Sequence, residues 1–84
     1  MKIGEQLMNE NLKLLSKLEI GKKAIVKSLL AKGKKRRRLL DLGFVKGTII
    51  EAVQKSPGGD PTAYFIRGTL IAIRSEDANL ICIS

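Results

Sequence analysis

From residue 23 onward, short apolar runs alternate with glycine, proline and charge. Lys23–Leu30 (KAIVKSLL) is apolar and β-branched and predicts a first strand. Thr48–Lys55 (TIIEAVQK) predicts a second, with Glu51, Gln54 and Lys55 marking a wet side. Thr62–Ile66 (TAYFI), Leu70–Arg74 (LIAIR) and Leu80–Ile83 (LICI) predict three more. Between the first two strands the period changes. In Lys32–Gly47 (KGKKRRRLLDLGFVKG), Leu39 and Leu42 are three apart and Leu40 and Phe44 are four apart, so they form one apolar stripe of a short helix. Gly43 stands where that helix would stop, because glycine takes the left-handed conformation without a Cβ clash. Gly47 then opens the next strand.

The turns follow from local chemistry. Pro57-Gly58 suits the two central positions of a type II turn, and Gly59-Asp60-Pro61 extends the break. Arg67-Gly68 or Gly68-Thr69 makes a tight hairpin. Ser75-Glu76-Asp77-Ala78 reads as one helical turn, with Ser75 as its cap and acids at its start. Five short strands so closely spaced predict a small, strongly bent sheet or barrel, since a flat one would leave apolar edges unpaired. Ahead of this domain, assigned to residues 18–84, lies a lead-in of residues 1–17. Its Ile3, Leu7, Met8, Leu12 and Leu15 form a loose helical stripe, and Asn9 and Asn11 weaken it. The lead-in is read as a frayed or weakly docked helix, with a self-association or partner helix as the other reading.

Charge changes this picture. The 84 residues hold 16 Lys and Arg against 8 Asp and Glu, a net charge of +8. Six of the seven residues Lys32–Arg38 are basic, so the rest of the chain is nearly neutral. Lys34, Lys35, Arg36, Arg37 and Arg38 thus form one cationic ridge, the candidate partner-binding surface. The ridge begins its helix, where cations oppose the helix dipole, which favours a functional origin over accident. Arg37 and Asp41 are spaced to pair. A cationic ridge suits an anionic partner: nucleic acid, a membrane surface or an acidic protein face. With the single cysteine Cys82, no internal disulfide is available, and with no secretory pattern at the N-terminus a cytoplasmic location is expected.

Most chemistry fails for want of residues. There is no histidine, and Cys82 sits alone in an apolar strand, so no metal site, cofactor or activated nucleophile is expected. Neither a GxxxxGK[ST] loop nor a GxGxxG turn occurs. With no tryptophan, one tyrosine and two phenylalanines, there is no aromatic floor for proline-rich peptides or for stacked bases. The expectation is a binding protein and not an enzyme. Gly43, Gly47, Pro57, Gly58 and Gly68 are its structural turn positions.

From about Leu18 to Ile83 the chain resembles the FeoA domain family of bacterial ferrous iron transport. The matching pieces are Arg37-Arg38-Leu39 through Leu42-Gly43-Phe44, Lys46-Gly47-Thr48, Pro57 to Pro61, Arg67-Gly68, Ile71-Ala72-Ile73-Arg74, and Ala78 before the last strand. The resemblance implies a mainly β fold: a small SH3-like five-stranded barrel with a short helix between its first two strands. It implies a non-enzymatic, regulatory role beside FeoB, a membrane iron permease with a GTP-binding cytosolic domain. The same fold occurs in metal-dependent repressors of the diphtheria-toxin-repressor type, but no helix-turn-helix is legible here. The run KGKKRRR is more basic than the usual segment of the family, and it keeps a small nucleic-acid-binding barrel as the alternative.

Overall fold

A computed structural model describes residues 13–84. Lys13–Leu14 form β1, followed by a 3-10 turn over Leu15–Lys17. Then come β2 (Lys23–Leu29), helix α1 (Gly33–Leu42), β3 (Ile49–Lys55), β4 (Thr62–Ile66), β5 (Thr69–Ile73), the single turn α2 (Ser75–Ala78) and β6 (Ile81–Ile83). All strands pair antiparallel in the order β1-β6-β2-β3-β4-β5. The five predicted strands are present, and α1 lies between the two expected to flank it.

The sixth strand was not legible. Residues Lys13–Lys17 belonged to the expected helical stripe, whose earlier part lies outside the described residues. Lys13 and Leu14 instead pair with Ile83 and Cys82, and Leu15 is fully buried. A weak helix former gives way because ladder bonds and one buried leucine together outweigh a few tenths of a kcal/mol of propensity per residue.

β2 belongs to two half-sheets, one with β1 and β6 and the other with β3, β4 and β5. Its pairing with β6 shifts register between Val26 and Ser28, and β3 with β4 shifts between Ala52 and Gln54. Such bulges add local twist, which lets short strands wrap around one small core. Val26, Phe44, Ile50, Ile66 and Ile81 are all at most 1% exposed in that core. Cys82 is also buried, outside that cluster, because on β6 it points to the face opposite Ile81 and Ile83, and it is a free thiol. Tyr64 and Phe65 point to opposite faces, as adjacent strand residues must. Tyr64 is buried, with its hydroxyl directed at the Leu15 carbonyl 3.5 Å away, and Phe65 is 44% exposed.

Two turn assignments are corrected. In Ser56–Gly59 the Gly59 N–H donates to the Ser56 carbonyl at 2.8 Å, which puts Pro57 and Gly58 at the centre. The positive φ belongs to Gly59 (92°) and not to Gly58, so the turn is of type I and not type II. Ser75 is not the cap of α2: Arg74 occupies that position and supplies no side-chain bond. The Ser75 N–H is instead taken by Asp60 Oδ1 at 2.8 Å, from fifteen residues upstream. Spacing along the chain could not reveal a cap that arrives from another turn.

Candidate docking surface

α1 begins badly and ends well. Its cap residue Lys32 offers no side-chain acceptor, and no acid lies in its first turn. Its end is closed tightly. Gly43, at φ 113°, donates to the Leu40 carbonyl at 3.0 Å, and Phe44 donates to the Leu39 carbonyl at 3.1 Å. These are the two bonds of a Schellman motif, with Leu39 and Phe44 as its apolar pair, 2% and 0% exposed. A Cβ on Gly43 would meet Arg67 Cδ only at an ordinary contact distance of 3.4 Å, so it is the conformation that calls for glycine there. Leu40 and Leu42 are half-buried beside this anchor.

The helix is therefore fixed at its C-terminal end, and its cations are left outside. Lys34, Lys35, Arg36, Arg37 and Arg38 are all exposed. Lys34, Arg37 and Arg38 share the outward face with Asp41 through steps of three and four. Together with Gly33 and Leu42 they line an open depression of about 650 Å³. The expected Arg37–Asp41 ion pair is not formed among the described residues, where the ion pairs are Lys35–Asp77 and Arg74–Asp60. Both Arg37 and Asp41 are solvated, and holding two long side chains together there gains little.

Lys35 differs from its neighbours. Its Nζ lies 2.9 Å from Asp77 Oδ1 on α2. The distance suits a hydrogen bond, but Oδ1 lacks a partner of hydrogen-bond geometry, so the contact is an ion pair first. The Asp77 carboxylate at that distance, and then its charge, hold the Lys35 ammonium above its ordinary pKa. Lys35 thus links α1 to α2, and Lys34, Arg36, Arg37 and Arg38 are the ridge cations without an ion pair among the described residues.

On its other side α1 forms a groove with β2 of about 290 Å³. Leu29, Leu40 and Phe44 contribute to its floor, and Lys27, Arg36 and Lys46 supply cations without any lining acid. Sequence reasoning missed Lys27 and Lys46. The signal was present but indirect: Lys27 is an exposed strand position next to buried Val26, and Lys46 follows the buried Phe44 by two. Of the expected turn residues, Gly43 closes this helix. Gly47 donates to the Val26 carbonyl at 2.8 Å. Pro57 and Gly58 lie in the β3–β4 turn, and Gly68 lies between β4 and β5. None of these last three lines either depression.

No group of three or more His, Cys, Asp or Glu side chains gathers among the described residues. No described helix is long and apolar enough to cross a membrane.

Residues 13–84 match the FeoA domain model. The chain belongs to the FeoA domain family. Over 64 residues it is 39% identical to an Fe(2+) transport protein A/Fe(2+) transporter FeoB fusion protein of Porphyromonas gingivalis, covering 76% of this chain and 8% of the fusion protein. The FeoA protein of Chlorobium tepidum superposes with a TM-score of 0.79 at 37% identity, over 84% of this chain and 68% of that one. A zinc complex of FeoA from Stenotrophomonas maltophilia, described as a prokaryotic SH3 domain protein, superposes with a TM-score of 0.77 at 34% identity, over 86% and 89%. The fold is thus SH3-like and the family is one of ferrous iron transport. In the fusion relative, one polypeptide joins a FeoA part to FeoB, which links the family to that transporter.

Proposed function

We propose that this FeoA-family protein is a cytoplasmic, non-enzymatic regulator that docks through α1 on the cytosolic, GTP-binding part of a FeoB-type ferrous iron permease. The observation that carries the reading is the fusion relative, in which the two partners are joined in one chain. A linked pair gains a high effective concentration, so the contact between them can be modest in affinity and still be populated. The exposed cations Lys34, Arg36, Arg37 and Arg38 speed encounter with an acidic face and set its orientation. The groove beside them, with Lys27 and Lys46, extends the same field onto the sheet. The protein uses no cofactor and binds no metal in this role.

The test is a titration of the soluble domain of a FeoB-type permease with wild type and with a variant in which Lys34, Arg36, Arg37 and Arg38 are replaced by Gln. Lys35 is kept because it holds α2. The variant should melt like wild type and bind roughly tenfold or more weakly at low salt. A random oligonucleotide is titrated in parallel. If only its affinity falls while that for the permease domain stays the same, the ridge serves nucleic acid and the docking reading fails.

A further inference from the structure

A second surface lies away from the cationic ridge. β5 is an edge of the sheet. At the opposite edge lies β1, of which Lys13–Leu14 are described. Proteins protect an edge with proline, lysine or a bulge, and β5 has no such protection. Thr69–Ile73 contains no proline and no lysine, and its pairing with β4 runs through all five residues without a bulge.

The ladder shows which groups β5 offers. Ile66 and Thr69 flank the two-residue turn Arg67-Gly68, with φ 52° and 80°, so they form a hydrogen-bonded pair. Alternation makes Tyr64–Ile71 and Thr62–Ile73 the next bonded pairs. The N–H and C=O groups of Leu70 and Ala72 therefore point away from β4, and no backbone partner meets them among the described residues. Their side chains lie on the open face of the sheet. Leu70 is 59% exposed and stands beside Phe65, and Ala72 stands beside Ala63. The edge thus offers two donors, two acceptors and an apolar strip.

We propose that this edge binds the same edge of a second copy of the chain. An antiparallel partner must place its own outward-pointing residues against Leu70 and Ala72. A second β5 satisfies both at once when the two-fold axis passes through Ile71, so that Leu70 of each copy faces Ala72 of the other. All four outward groups of each copy then pair. On the open face the row Phe65–Leu70 continues into Ala72–Ala63 of the other copy. Charge does not set the register: Arg67 of one copy comes to lie beside Ser75 of the other, flanked by Arg74 and Glu76, and Arg74, already paired with Asp60, comes beside Gly68. Such a contact is isologous and closed, so it stops at two copies. The net charge of +8 on each copy opposes it, and added salt should strengthen it.

Sedimentation velocity at moderate salt, over about a hundredfold range of concentration, should show the mass rising from one chain toward two. Hydrogen exchange at the high end should slow at the Leu70 and Ala72 amides. Ala72→Pro removes one outward donor and leaves every β4 bond in place, since a proline is tolerated where an edge N–H faces outward. This variant should stay at one chain throughout. If it does not fold, Leu70→Lys serves instead by putting a charge on the strip. A wild type that stays monomeric at every concentration and salt overturns the proposal, and so does a dimer that survives either folded variant.

Discussion

The outer face of α1 and the open face of the β4–β5 hairpin are both exposed, yet they are built on opposite plans. α1 is held by buried Leu39 and Phe44 at its C-terminal end and spends its other positions on charge. The hairpin is held by a continuous five-residue ladder and shows solvent Phe65 and Leu70. A charged face acts at a distance and weakens as salt rises, whereas an apolar edge acts only on contact and does not. Two partners could thus use one small domain without competing, and salt would move their affinities in opposite directions.

The sharpest break in this comparison is at the helix anchor. Phe44→Ala should cost about 3–5 kcal/mol, because a fully buried ring leaves a cavity beneath α1. Phe65→Ala, at an exposed site on the hairpin, should cost under about 1 kcal/mol. Urea titration of both variants checks the contrast, and similar losses would mean that α1 is not hung from Phe44. Next is the hairpin turn. Gly68 has φ 80°, and Gly68→Val should cost about 1–3 kcal/mol and weaken the β4–β5 edge with it. A melting temperature within a degree or two of wild type, by roughly the scale expected for such a domain, would show that the turn relaxes without loss.

A smaller effect separates the core from both surfaces. Burial, first of all, raises the Tyr64 phenol above its ordinary pKa, the Asp60 charge adds to this, and the Thr62 hydrogen bond opposes it. The neutral phenol is the form that fits the fold, so its contribution is complete below about pH 10 and is lost as pH rises through the raised folded value. Wild type should therefore lose stability above about pH 10 more steeply than Tyr64→Phe, in which the lysine contributions are unchanged. Parallel stability curves for the two proteins would show that Tyr64 does not titrate against folding. The smallest expected effect is at Lys35→Gln, which withdraws an exposed ammonium from the Asp77 carboxylate, itself 14% exposed. The loss should be slight, because the lysine end is open to water, and should shrink as salt rises. A loss that salt does not reduce would mean that the lysine stem packs as well as pairs.

These contrasts also mark what the sequence could reveal. Strands β2 to β6 were legible because each couples an apolar run to a strong punctuation mark, and α1 because its period changes between two such runs. Gly43 was legible as a stop because the residues on both sides are apolar. β1 was not, since two residues carry no period, and its partner Ile83 lies seventy residues away. Separation along the chain also hid the Asp60 bond to Ser75 and the Lys35–Asp77 pair, both made between separate elements. The ridge was legible as composition, but which of its cations makes an ion pair depended on α2 coming to meet Lys35. The open edge of β5 was invisible for another reason: a strand's position in a sheet is a property of the topology and not of its own residues.

β6 has a consequence for how the chain is made. β2, β3, β4 and β5 follow one another as neighbours and can pair as each leaves the ribosome. β6 is synthesised after them, yet it inserts between β1 and β2. Until Ile81–Ile83 emerge, β1 has no strand to join and one side of β2 stays bare. The nascent chain must therefore hold a half-built sheet and close it in a single late step. Stalled chains of increasing length should stay sensitive to protease up to the length that frees Ile83 from the exit tunnel, and become resistant together at that point. Resistance appearing once β5 alone has emerged would show that the meander folds without its closing strand.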